Sequence, residues 1–272
     1  MVKIKDFFVK YKTLIIISTV LLICSIAIAF GVYAQITKKG KAKPEESINY
    51  NELKRDFNNI FTNTINKQET AKQDYNYEEL VFTRYDLKEE VNGKYSVEAK
   101  IPGFKEDNSK VLKGVNKEIY NTFAVEILKI VRNTVSNTKF NLDYTVYANN
   151  NIVSLVIMCK YKKGTNPQRK IVQTFNYDID NDKLLSLEEI LEYKNLEKND
   201  VQNKIDEEIK KINNQTQSIN NEGYNLYMRD VNSDIYKVEN TQTFFLGKNN
   251  YLYLVYAYGN NDYTSEIDLI IF

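Results

Sequence analysis

The chain has 272 residues, 37 Lys and Arg against 36 Asp and Glu for a formal charge of +1, and no histidine. That length allows one or two domains with a sizeable core. The missing imidazole excludes Ser-His-Asp and Cys-His catalysis, His-ligated zinc and histidine pH switches, because each needs a ring that titrates or ligates near neutrality.

Residues 13–36 read TLIIISTVLLICSIAIAFGVYAQI without a charge, and as a helix rising about 1.5 Å per residue they would be about 36 Å long, enough to cross a bilayer. Four lysines precede this run and Lys38, Lys39, Lys41 and Lys43 follow it, so positive-inside counting ties. Residues 1–12 are too few to fold, and the expected arrangement is a short cytoplasmic tail and a signal-anchor that exports everything after it. Val32-Tyr33-Ala34 resembles a signal-peptidase site. The apolar run is longer than the roughly 7–15 residues of a signal peptide, so a retained anchor is expected rather than cleavage after Ala34. Cys24 lies inside this run, which leaves no disulfide to expect with Cys159.

Residues 37–75 read as a solvated linker and a membrane-proximal amphipathic helix, with Leu53, Phe57, Ile60, Phe61 and Ile65 at three- and four-residue spacing. Its apolar stripe is expected to pack on the domain that follows. From Leu80 the period becomes two: Val81, Thr83, Tyr85 and Leu87 alternate with polar residues, Asn92-Gly93 turns the chain, and Tyr95, Val97, Ala99 and Ile101 alternate back. Pro102-Gly103 should end this hairpin. Asn108 or Ser109 then caps a long helix carrying Val111, Val115, Ile119, Phe123, Ile127 and Ile130.

Three strands follow at 139–148, 152–162 and 169–179, separated by Asn149-Asn150-Asn151 and Gly164-Thr165-Asn166-Pro167, and they read as an antiparallel meander. A helical pair covers Leu187–Leu191 and Leu196–Ile212, and the chain closes with strands at 244–246, 251–258 and 266–272. The expected class is α+β, antiparallel sheets with packed helices, preceded by a single transmembrane helix. The exported module divides into a hairpin-helix-strand half, 78–162, and a strand-helix-strand half, 163–272.

Candidate sites are few. Asp178-Ile179-Asp180-Asn181-Asp182 with Glu189 imitates a calcium loop, but Lys183 stands where glycine is needed and a strand leads in, so a polar turn is expected. Cys159 has no histidine to activate it and reads as a buried thiol. The carboxylates Glu188-Glu189 and Glu207-Glu208 sit at helix-surface spacings. No phosphate loop or nucleophile motif occurs. No catalytic, metal or cofactor residue is assigned. The strand Tyr251, Tyr253, Tyr256 and Tyr258 is the one candidate partner-binding surface, since tyrosine gives contact area at low entropy cost; the alternative is one face packed and one exposed.

Ile101-Pro102, Val115-Asn116-Lys117-Glu118-Ile119 and Phe175-Asn176-Tyr177-Asp178-Ile179 running into Lys183-Leu184-Leu185-Ser186-Leu187 resemble the extracytoplasmic module shared by RsiV-type anti-sigma factors, which are lysozyme receptors, and PdaC-type peptidoglycan deacetylases. Phe244-Phe245-Leu246 and Asn249-Asn250-Tyr251-Leu252-Tyr253 fit it too, over roughly residues 78–272. The resemblance implies a sensing or binding module. Met1–Lys12 is short for the sigma-binding segment of the first group, and the histidine-containing metal site of the second is missing.

Splitting the charge at the membrane sharpens the expectation: residues 1–43 carry +7 and the rest −6. An acidic exterior attracts a cationic partner and disfavours nucleic acid. The expected function is therefore a non-enzymatic, single-pass membrane protein that recognises a cell-envelope component or a cationic protein such as lysozyme. The alternatives are an anti-sigma-like signalling protein with a reduced tail and a cell-wall enzyme using carboxylates alone.

Overall fold

The computed structural model describes residues 49–59, 61, 64–67, 77–132, 136–257 and 267–272. The expected tail, membrane helix, Ala34 cleavage site and linker lie outside these residues, as does Tyr258. Among the described residues no helix is long and apolar enough to cross a membrane.

The membrane-proximal helix is α1, Tyr50–Asn59, which buries Leu53 and Phe57. It is shorter than its apolar spacing predicts, because Ile65 belongs to a short strand, β1 (Ile65–Lys67). A single helical turn, α2 (Tyr77–Leu80), leads into the hairpin β2 (Val81–Val91) and β3 (Tyr95–Phe104), with Gly93 at φ +71 in the turn, a conformation glycine adopts without steric cost. Pro102-Gly103 does not end the hairpin. β3 runs on to Phe104, and a bulge between Thr83 and Tyr85 accommodates the proline opposite.

Ser109 caps the next helix, accepting from the Leu112 N–H. The long helix expected there is α3 (Lys110–Ile119) and α4 (Val125–Arg132) joined by a π-helical turn, Tyr120–Ala124. Val115, Ile119, Phe123 and Ile127 recur every four residues, which on a regular helix of 3.6 residues per turn drifts by about 120° over three steps. The wider π turn takes up that drift, and all four stay buried.

β4 (Thr138–Asn149), β5 (Ile152–Lys162), β6 (Arg169–Asp178) and the short β7 (Lys183–Leu184) complete the larger sheet, ordered β2-β3-β4-β5-β6-β7 with β1 also on β4. Pairing is antiparallel from β4 to β7 as expected, but β3 and β1 both run parallel to β4. The sheet is mixed because the α3-α4 crossover returns the chain in the direction it left. Helices α5 (Leu187–Tyr193) and α6 (Lys198–Asn221) follow, then 3-10 turns at Asp234–Tyr236 and Val238–Asn240. A second, three-stranded antiparallel sheet is ordered β10-β9-β8, with β8 Phe244–Leu246, β9 Leu252–Ala257 and β10 Ile267–Ile271. The class is α+β.

Three hydrophobic clusters set the layering. One lies between α3-α4 and the large sheet, with Val97, Ile101, Ile119, Phe123, Leu155 and Ile157. A second, with Phe57, Val156, Met158, Phe245, Tyr253 and Ile271, fills the space between the two sheets. A third, with Ile190, Ile205, Ile209, Leu254 and Ile270, packs the small sheet on α5 and α6. β5 is covered on both faces, and every residue from Ile152 to Cys159 is buried, which explains a run that is apolar except for Ser154.

The sheets are also joined by hydrogen bonds. β8 has β9 on one side, and its other edge is met by polar side chains of the large sheet. The Phe244 N–H donates to Thr174 Oγ1 (3.2 Å) and Asn176 Nδ2 donates to the Phe244 carbonyl (2.8 Å). The Leu246 N–H donates to Ser154 Oγ (3.2 Å) and Asn149 Nδ2 to the Leu246 carbonyl (3.0 Å). Buried Asn149, Ser154 and Asn176 with part-buried Thr174 act as a substitute strand, since an edge inside the fold must find partners.

Candidate functional site: an acidic groove beside α5 and α6

The aromatic strand does not form the contact surface expected of it. β9 is the middle strand of a sheet covered on both sides, so successive side chains enter different cores. Tyr253 is 3% exposed and stacks on Phe245 at 4.6 Å, while Tyr256 is 4% exposed and hydrogen-bonds Thr241 Oγ1 at 2.8 Å. Burial pushes the Tyr256 phenol up to about 12. Tyr251 is half-buried.

The calcium-like loop is a turn held by its own donors. Asp178 is buried and accepts from Asn151 Nδ2 (2.9 Å), the Asp180 N–H (3.1 Å) and Asn181 Nδ2 (2.7 Å). Asp182 accepts from Ser109 Oγ (2.5 Å) and Tyr177 Oη (3.0 Å). Among the described residues no three His, Cys, Asp or Glu side chains are grouped to hold a metal. Cys159 is fully buried, and burial pushes its thiol up to about 12; it is protonated at neutral pH and inert as a nucleophile.

Glu189 serves the start of α5. Its carboxylate accepts from the Ser186 N–H (2.8 Å) and from Lys183 Nζ (2.5 Å), while the Glu189 N–H donates to Ser186 Oγ, a capping box. The lysine and the cap hold the carboxyl down at about 2. A lowered folded-state value means stability that is present above the ordinary carboxylate range, about 4.5, and lost as pH falls towards 2. Glu189→Gln keeps the capping acceptor and removes the charge. Because the pair is part-exposed, the variant should unfold in urea with a deficit of less than about 1 kcal/mol at pH 7, and that deficit should vanish as the pH falls from 4.5 to 2.

α5 also forms one wall of a groove of about 850 Å³ bounded by α5, the turn into α6 and the Val238–Asn240 turn. Buried Leu187, Leu191 and Val238 with half-buried Leu196 and Phe244 make its floor. Exposed Glu188, Glu192, Glu197 and Glu239 make its rim with one cation, Lys198, which lies 3.8 Å from Glu239. Among the described residues Glu188, Glu192 and Glu197 form no salt bridge, although Lys183 acts on Glu192 through its field, and with Glu239 and Lys198 the rim sums to −3. A floor of apolar side chains under exposed carboxylates can take a basic side chain with its stem on the floor and its head at the rim.

The sequence reading passed over this groove because its walls come from segments some 40 residues apart. One signal was present. Glu188 and Glu192 are four apart on α5, where like charges destabilise a helix by a few tenths of a kcal/mol.

No family model and no curated protein matches the chain. Among the solved structures similar to it are two of the DUF3298 family. A DUF3298 family protein from Pseudomonas aeruginosa PAO1 is 13% identical, with 66% of this chain and 82% of that one covered at a TM-score of 0.43. A DUF3298 member from Bacteroides fragilis NCTC 9343 is 13% identical, with 59% and 61% covered at a TM-score of 0.30.

Proposed function

We propose that this chain is a non-enzymatic, membrane-anchored binding protein whose exported domain captures a cationic protein, lysozyme being the probe of choice, on the acidic groove beside α5 and α6. The observation that carries this reading is the rim of Glu188, Glu192 and Glu197, none of them in a salt bridge among the described residues, above an apolar floor. The net charge of −6 beyond residue 43 adds long-range attraction for the same kind of partner. The sequence resemblance to the RsiV-type module points the same way, and the apolar run at 13–36 supplies the anchor.

The test is calorimetric titration of lysozyme into the full chain in detergent at low and at near-physiological salt. Binding should weaken with salt, as rim charges act through screened fields. The triple variant Glu188→Gln/Glu192→Gln/Glu197→Gln should bind about tenfold more weakly. Absence of binding at low salt overturns the lysozyme assignment, and full-strength binding by the triple variant removes the groove as its site.

A further inference from the structure

The large sheet ends in β2, which has β3 on one side and, among the described residues, no strand on the other. It is an eleven-residue edge. Unpaired edges of this length are sites for strand addition unless their side chains forbid it. The side chains of β2 do not forbid it in general; they select one partner.

Arg84, Asp86, Lys88 and Glu90 are all exposed and alternate in sign along the strand. Charged side chains and bulges discourage indiscriminate pairing at an edge, and β2 carries both, with its bulge confined to the start of the strand between Thr83 and Tyr85. Alternating charges also distinguish registers. When β2 meets a second β2 antiparallel about Leu87, Asp86 faces Lys88 twice by symmetry, while Arg84 sits in the bulge between Thr83 and Tyr85, outside the regular ladder. When the centre shifts by one residue, to Asp86 or to Lys88, like charges face each other. Same-face neighbours directly opposite are the pairs that stabilise or destabilise a sheet.

The other β2 face gives the same register something to bury. Tyr85, 42% exposed, and Val91, 36% exposed, share that face with part-buried Leu87. Pairing about Leu87 sets that leucine against its own copy, and brings Tyr85 diagonally beside Leu87 and Val91 of the second chain. Tyr120, 40% exposed, already lies against Tyr85 with ring centroids 6.3 Å apart and extends this apolar strip.

Existing partners do not compete strongly. Lys88 reaches Glu98 at 3.4 Å with both side chains mostly exposed, and Arg84 reaches Glu106 at 3.5 Å. Exposed pairs of this kind contribute little and exchange readily.

We propose that β2 is a homodimerisation edge: two copies of this chain join antiparallel about Leu87 to make one continuous sheet. The contact is two-fold and isologous, as closed dimers are. A strand pair alone buries less surface than a standard interface, so the dimer is weak and is favoured by confinement to a membrane. This inference stands independently of the groove and its ligand.

The test follows the mass of the full chain in detergent by sedimentation up to about 100 µM, a range suited to a weak dimer. The wild type should be a reversible dimer. Asp86→Lys alone or Lys88→Asp alone turns two attractive pairs repulsive and should raise the dissociation constant about tenfold or more. The two single variants, mixed and separately labelled, should form a heterodimer, because each supplies the charges the other lacks. The double variant Asp86→Lys/Lys88→Asp should recover the wild-type dimer. These positions are exposed, and unchanged thermal unfolding of each variant will show an intact fold. A wild type that stays monomeric across the range overturns the proposal. So do single variants that associate as the wild type does, which would put the contact elsewhere.

Discussion

Asp268→Ala should cost the domain about 3–5 kcal/mol, the loss expected when a buried cation is left without its partner. Arg229 and Asp268 have side chains only 9% and 3% exposed. The guanidinium meets the carboxylate with two nitrogens, Nη2 to Oδ1 at 3.1 Å and Nε to Oδ2 at 3.4 Å. Its Nη1 donates to Thr216 Oγ1 and to the Tyr227 carbonyl, both at 3.1 Å, and Tyr236 Oη donates to Asp268 Oδ2 at 3.0 Å. One carboxylate thereby ties β10, the end of α6 and the segment running to the 3-10 turn at Tyr236. Removing it takes away the carboxylate that meets two of the guanidinium's nitrogens inside the fold. Urea unfolding followed by circular dichroism should show the midpoint falling by about 1–2 M at an unchanged slope. The double variant Arg229→Met/Asp268→Leu should recover most of the loss, because an apolar pair of similar volume avoids the desolvation of both charges. A single variant within about 1 kcal/mol of wild type would mean that water reaches the arginine and that the pair is not a clamp.

Phe245→Ala is the second large effect expected, again about 3–5 kcal/mol. Phe245 is fully buried between the sheets and stacks on three rings: Tyr253 at 4.6 Å, Tyr147 at 5.6 Å and Phe57 at 5.8 Å. Those rings belong to β9, β4 and α1, so the cavity opens where three elements meet and cannot close by moving one of them. Phe245→Leu retains most of the volume and should cost about 1–1.5 kcal/mol. Hydrogen exchange would add a local readout: amides of α1 should lose protection first in the alanine variant, because Phe57 is one of only two α1 side chains that are buried. Equal losses for the leucine and alanine variants would overturn the cavity account.

Much of the local structure was legible in the order of residues. Period-two alternation at 80–101 and the Asn92-Gly93 turn marked the first hairpin, and 152–162 read as a strand, but that both of its faces are buried appears only in the structure. The α3-α4 segment was legible as helical, but its π turn appears only when the four-residue spacing of Val115, Ile119, Phe123 and Ile127 is asked to face one sheet. Tyr253 and Tyr256 depart from the expected contact surface for a physical reason. Alternation in Tyr251-Leu252-Tyr253-Leu254-Val255-Tyr256 tells which residues share a face, not whether a face is covered. Cover comes from the larger sheet on one side and α6 on the other.

Near-neighbour chemistry set the elements of this protein: strand and helix periods, the Ser109 and Ser186 caps, and the turns at Asn92-Gly93 and Asn149-Asn150. The sum of charges, +7 in the first 43 residues and −6 in the rest, was equally a property of the sequence alone. Tertiary structure decided the parallel pairing of β3 with β4, the burial of Tyr253 and Tyr256, the Arg229–Asp268 clamp, the acidic groove and the free edge of β2. The reason is range. Capping, turning and alternation are settled within about four residues, whereas Asn149 meets the Leu246 carbonyl 97 positions away. Such contacts exist only where the chain returns to bury its apolar faces together.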